Sequence, residues 1–143
     1  MTTSIETWRA EHSVDADATP EAIWARFRDV AGWTQWNAGI ETIALDGPFA
    51  AGTWFTMKPP GQEALRSRLV EVRENDAFVD ETRVDELVVT VAHRLAPLAA
   101  GRTRVTYSVE AVGPGASEIG PAIASDLPDV LAALVAIVEN KPA

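Results

Sequence analysis

The chain has no cysteine. Disulfide frameworks, cysteine nucleophiles, thiolate zinc sites and iron–sulfur clusters are therefore excluded together. Positive charge is scarce as well: 12 Lys and Arg stand against 21 Asp and Glu, a formal net charge of −9. A field of that sign repels phosphate backbones and anionic headgroups, so neither nucleic acid nor an anionic lipid surface is an expected partner. The N-terminal run Met1-Thr2-Thr3-Ser4-Ile5-Glu6 has no basic region followed by an apolar one, and no signal peptide is expected. The most apolar stretch, Val130 to Val138, is short against a bilayer, which predicts no membrane insertion and a cytoplasmic protein. With only two histidines, a histidine-built metal centre would need a carboxylate such as Asp80 to join them, so no metal and no cofactor are expected. Phosphate-loop and nucleophile-elbow motifs are missing: Gly113-Pro114-Gly115 lacks the lysine and hydroxyl that follow in a phosphate loop, and there is no Gly-x-Ser-x-Gly.

What is present is apolar residue in regular spacing. Of 143 residues, 47% are hydrophobic, enough for one domain spanning 1–143 to bury a core. No repeat or linker divides it. Trp8, Ala10, His12 and Val14 alternate with Thr7, Arg9, Glu11 and Ser13, the period of a half-buried strand. Thr19-Pro20-Glu21 starts a helix, with Thr19 as cap and Pro20 in the first turn, and Ile23, Trp24, Phe27 and Val30 fall on one face. Gly32 is read as its end, and Trp33 to Asn37 as a further short turn. Strands follow at about 40–46, 53–58, 65–73, 76–82, 86–95 and 103–112, separated by Asp46-Gly47-Pro48, Pro59-Pro60-Gly61, Glu74-Asn75-Asp76 and Pro97 to Gly101. Connections this short force antiparallel pairing. Ile119 to Asn140 has helical spacing, with Ile123, Leu127, Leu131, Leu134 and Val138 on one face. Pro128 predicts either a kink or two successive helices, Asp126 capping the second.

The order β-α-α-β6-α predicts an α+β helix-grip fold: a curved antiparallel sheet of about seven strands around a long C-terminal helix, with a cavity between them. Alternation selects the inward residues. Trp8 and His12 face in on the first strand, and Phe55 and Met57 on a middle one, since Lys58 should face water. Phe78 is inward and Asp80 shares its face, although Asp80 is also read as a strand-end residue, solvated or ion-paired. Val91, His93 and Tyr107 follow on the last two strands. Ile123, Leu127 and Leu131 supply the opposite wall. Trp33 and Trp36 are expected at the cavity mouth, and Trp24 in the core.

The words Ala18-Thr19-Pro20-Glu21-Ala22-Ile23-Trp24 and Trp33-Thr34-Gln35-Trp36-Asn37 resemble the opening of the SRPBCC superfamily, which includes START-like, birch-allergen-like and polyketide cyclase/dehydrase proteins. His93-Arg94-Leu95, Gly101-Arg102-Thr103-Arg104-Val105-Thr106-Tyr107 and Gly113-Pro114 resemble its last hairpin, so that the likeness covers roughly residues 5–139. The resemblance implies a hydrophobic cavity and neighbouring first and last strands, which would bring His12, His93 and Tyr107 to one cavity. Members include cyclases, lipid and hormone carriers, chaperone activators and oxygenase components.

Three functions follow as expectations. The first is binding of a small hydrophobic ligand (a lipid, an aromatic or a polyketide-like molecule) by a monomer or homodimer. The second is a cyclase or dehydratase in which His12, His93, Tyr107 and Asp80 move protons. The third is a protein-interaction role, which would show a filled interior and an exposed apolar patch.

Overall fold

A computed structural model describes residues 6–139; Ile5 and Asn140, the outer ends of the expected first strand and last helix, lie outside them. The elements are β1 (Thr7–Ala16), α1 (Pro20–Arg28), a 3-10 helix (Val30–Gln35), β2 (Thr42–Leu45), β3 (Trp54–Lys58), β4 (Leu65–Arg73), β5 (Ala77–Val84), β6 (Leu87–Pro97), a short 3-10 turn (Ala99–Gly101), β7 (Thr103–Val112), α2 (Ala116–Ala124) and α3 (Leu127–Val138). All seven strands join one antiparallel sheet in the order β1-β7-β6-β5-β4-β3-β2. This is the expected helix-grip architecture, a curved sheet with the helices on its concave side.

Local chemistry explains the entry to α1. The Thr19 hydroxyl accepts the Ala22 amide at 3.2 Å, and Pro20 occupies the first turn. The Thr103 hydroxyl donates to the Ala18 carbonyl at 2.7 Å in a buried contact, tying the start of β7 to the approach to this helix. The helix ends at Arg28, not at Gly32 as expected. Asp29 leaves helical geometry (φ −84, ψ 75), and Val30 and Trp33 belong to the following 3-10 helix, where both are buried. The Trp33 indole donates to the Phe27 carbonyl at 2.8 Å, so the ring folds back across the end of α1.

The C-terminal segment is two helices, the second of the two arrangements expected for it, and it starts at Ala116, earlier than Ile119. The break lies at Ser125–Asp126. Pro128 sits in the first turn of α3, where its missing amide costs nothing. Asp126 occupies the cap position without making a side-chain cap bond, so the expected capping role is not filled. Leu127, Val130, Leu131 and Leu134 form the buried stripe of α3. Taken with α2, the segment spans 23 residues whose most apolar window has a mean hydropathy of 1.7. By length and composition alone it is long enough to cross a membrane, which corrects the shorter measure taken from Val130 to Val138. Here it packs across β1 and β7.

Two glycines are fixed by close approach. A Cβ on Gly120 would stand 2.3 Å from Cε3 of Trp8, so α2 rests directly on that indole. Gly113, at φ +126, turns the chain out of β7, and a Cβ there would meet the Glu86 carbonyl at 2.6 Å.

Candidate functional site

The inner face of the sheet follows from the register. His12 is opposite Tyr107 on β7, Tyr107 is opposite His93 on β6, and His93 is opposite Phe78 on β5. Directly opposed residues share a face, so these four side chains form one row across four strands. Asp80, two residues beyond Phe78, extends the same face and is opposite Val91 and Leu69. A bulge between Leu69 and Glu71 lets β4 keep Leu69 and Val72 on the inside.

Phe78 is the centre of the aromatic packing. It stacks on His93 at 3.9 Å between ring centroids with planes 8° apart. Phe27 meets it edge-on at 5.0 Å, Phe49 at 5.2 Å, and Trp33 stacks on it at 5.5 Å. Tyr107 meets His93 edge-on at 4.5 Å.

Within this apolar packing three polar side chains come together, one of them with an unpartnered end. The Tyr107 hydroxyl is buried and makes no hydrogen bond. The His93 Nδ1–H donates to the Phe78 carbonyl at 3.2 Å; a carbonyl can only accept, so Nδ1 carries the proton and Nε2 keeps its lone pair. Asp80 Oδ2 lies 3.9 Å from His93 Nδ1, too far for a hydrogen bond. Burial governs the electrostatics: it pushes Asp80 up from 3.8 to about 7 and His93 down from 6.5 to about 3. An ion pair would move both the other way, so the two groups are not an ion pair: the imidazole is neutral and the carboxyl titrates near neutrality. Tyr107 is pushed well above its usual value, first by burial and then by the neighbouring Asp80 charge.

The expected residues divide clearly. His93, Tyr107, Asp80 and Phe78 come together; Asp80 is buried in mid-strand, which overturns its reading as a solvated or ion-paired end residue. His12 shares their row at the half-buried edge strand. Phe55 is buried and Met57 half-buried, while Trp54 is 44% exposed, so the chosen inward face of β3 is correct. Val91 and Ile123 are half-buried, and Leu127 and Leu131 are buried under the helix stripe. Trp33 and Trp36 do not stand at a mouth: both are buried, ring against ring and against Phe27 or Phe55. Trp8 is not free in a cavity either, being occupied as the seat of α2. Trp24 is core, as expected.

Three residues beside the cluster were not among the expected site residues. The hydroxyls of Ser67 and Thr82 share a hydrogen bond of 2.6 Å two residues from Asp80 along the same β4–β5 pair. Alternation with Leu65 and Leu69 was the available signal for Ser67. Phe49 lies on the β2–β3 connection and packs its half-buried ring on Phe78 and Trp24; an apolar residue just after Asp46-Gly47-Pro48 was its only mark.

Two of the recesses among the described residues lie away from the space between sheet and C-terminal helices. One, of about 400 Å³, is lined by Ala22, Ala25, Arg26, Asp29, Ile137 and Val138 between α1 and the end of α3. The other, of about 670 Å³, includes Glu11, Val79, Ala92 and Arg94. Over the polar cluster, Phe27 packs directly on Phe78 and Tyr107 and Trp33 on Phe78, and these side chains are buried. The packing loosens toward β2 and β3, where Ile43, Leu45 and Met57 pack on the core yet stay half-buried, as do Val91 and Thr82 beside Asp80.

The family model described as "Polyketide cyclase / dehydrase and lipid transport" matches residues 7–139. No curated protein matches the chain. Among solved structures, an aromatase/cyclase from Streptomyces sp. R1128 superposes with a TM-score of 0.80 at 15% identity, covering 94% of this chain and 95% of that one. A norcoclaurine synthase point mutant from Thalictrum flavum, in complex with a transition-state analogue, gives 0.79 at 14% identity, covering 97% and 98%. A START superfamily protein from Mycobacterium smegmatis gives 0.73 at 18% identity, covering 92% and 97%. At these identities the likeness establishes the fold.

Proposed function

From the premise that this chain belongs to the polyketide cyclase/dehydrase and lipid-transport family, we propose that it holds a small, mainly apolar molecule between the concave sheet and the C-terminal helices. One observation carries the reading: Asp80, His93 and Tyr107 converge on the inner face, and the buried Tyr107 hydroxyl there has no hydrogen-bond partner. An unpaired buried polar group costs about 1–3 kcal/mol, a cost that a bound molecule would offset. The half-buried positions Ile43, Leu45, Met57 and Val91 offer apolar surface beside that cluster. Phe49, on a loop and packed over Phe78, is the natural movable cover. The excess of acid over base on the surface fits a small-molecule ligand better than nucleic acid.

Native mass spectrometry of the purified protein, with solvent extraction, tests this together with uptake of the neutral dye Nile red. A bound apolar mass or saturable dye binding is expected. Met57→Arg, at a half-buried inner position, should abolish either one while keeping the circular dichroism spectrum of wild type. A bare protein that takes up no dye defeats the reading.

The same convergence favours a second reading, proton transfer on the bound molecule. Asp80 at about 7 is matched to neutral pH as an acid–base group, whereas His93 at about 3 is a feeble base. Tyr107 would then hold the reacting oxygen. Incubation with a synthetic linear triketone, followed by mass spectrometry for loss of water, tests it. Turnover sensitive to Asp80→Asn supports the reading, and none above the buffer rate removes it.

A further inference from the structure

The inner face has a feature that decides what kind of polar group it can receive. Among the described residues no arginine or lysine is buried; all are exposed except Arg26 and Lys58, which are partly so. Arg26 lines the recess between α1 and α3, and Lys58 pairs with Glu41 at the sheet edge. On the strands, Arg9, Arg66, Arg68, Arg94 and Arg104 fall at positions that alternate away from the inward set of Trp8, Ser67, Leu69, His93 and Val105. The inner face therefore offers no arginine or lysine to balance a buried anion; of its two histidines His93 is held neutral by burial and His12 stands apart on the half-buried edge strand, so burying a carboxylate or phosphate beside Tyr107 and Asp80 is prohibitive.

The polar ends at its buried centre are a phenol hydroxyl without a partner, a carboxyl, and an imidazole whose Nδ1 proton is committed to the Phe78 carbonyl and whose Nε2 can only accept, while the nearby Ser67 and Thr82 hydroxyls are paired with each other. We infer that the ligand presents an uncharged carbonyl oxygen to Tyr107 and Asp80, and that free carboxylates, phosphates and amines are rejected. The inference rests on the ligand-binding reading above and deepens it. Tyr107 brings an O–H donor, and burial favours the protonated, donating form of Asp80, so both suit an acceptor oxygen. An ammonium would require Asp80 ionised in a setting that opposes ionisation.

Four probes of one shape separate these possibilities: naphthalene, acetylnaphthalene, naphthoate and aminomethylnaphthalene, titrated by displacement of Nile red at neutral pH. Acetylnaphthalene should bind roughly tenfold more tightly than naphthalene, the worth of one hydrogen bond to a formerly unpaired buried donor. Naphthoate and the amine should bind more weakly than naphthalene. In Tyr107→Phe, which keeps the ring and its packing, the acetylnaphthalene-to-naphthalene ratio should fall toward one. A ratio unchanged by Tyr107→Phe, or naphthoate or the amine binding as tightly as the ketone, overturns the inference while leaving the ligand-binding reading intact. Failure of all four probes, with no Nile red uptake to displace, removes both.

Discussion

The two halves of the sheet solve the same packing problem differently. On β5, β6 and β7 the inner residues Phe78, His93, Val105, Tyr107 and Val109 are buried, roofed by Phe27 and Trp33 from α1 and the following 3-10 helix. On β2 and β3 Phe55 is buried, but the other inner residues Ile43, Leu45 and Met57 remain half-buried. The closed half nevertheless contains the polar groups, and the looser half is the more uniformly apolar. Polar ends placed where water is excluded are reactive and selective, because a low local dielectric magnifies every unpaired charge or dipole. Apolar residues at the loose side cost little when exposed and gain when a ligand covers them. The comparison thus assigns recognition to one half and entry to the other.

The largest effect should come from removing the hub of the closed half. Phe78→Ala is expected to cost about 3–5 kcal/mol, against about 1 kcal/mol for Met57→Ala in the looser half, both read from urea midpoints. Equal losses would erase the distinction. Next in size, Gly120→Ala drives a methyl into the Trp8 indole and should cost about 1–3 kcal/mol by the same measurement.

The buried acid and imidazole give a sharper test through pH. The folded-state value for Asp80, about 7, lies above the ordinary 3.8, so folding retains a proton there. Its contribution is intact below about pH 4 and is lost as pH rises to about 7. The folded-state value for His93, about 3, lies below the ordinary 6.5, so its contribution is intact above about pH 6.5 and is lost as pH falls toward 3. Between about 4 and 6.5 the two slopes oppose and nearly cancel. Relative to wild type, His93→Gln should lose about 1.4 kcal/mol of stability per pH unit as pH rises through that window, and Asp80→Asn should lose a similar amount per unit as pH falls. Parallel pH profiles for both variants and wild type would show that the pair is not buried as described. The smallest effect is the most pointed: Tyr107→Phe removes a hydroxyl that has no partner, so it should be neutral or stabilising by up to about 1 kcal/mol in thermal unfolding. A loss of more than that would mean the hydroxyl is satisfied in solution.

Much of the fold was legible along the chain because it rests on local periodicity. The strands at 65–73 and 103–112 were readable to their ends, since alternation runs through the second and is interrupted in the first only by the bulge after Leu69, and the flanking turns are rich in proline, glycine and asparagine. The row of His12, His93 and Tyr107 was legible too, once the first strand was set beside the last. Boundaries governed by a single residue's geometry were not: Asp29 ends α1 where composition pointed to Gly32.

By itself, then, the sequence determined which residues alternate, where turns interrupt them, and that inward positions would carry two histidines, a tyrosine and an aspartate in an otherwise apolar set. Only the tertiary structure decided how dry each position is. Asp80 is read as a solvated strand end until α1 and the Phe49 loop close over Phe78 beside it; Trp33 and Trp36 are read as a cavity rim until they fold against Phe27. Periodicity is a property of neighbours in the chain, whereas burial is set by which distant elements arrive on top. Burial holds the imidazole neutral and lifts the acid toward neutrality, and neither shift can be read from periodicity.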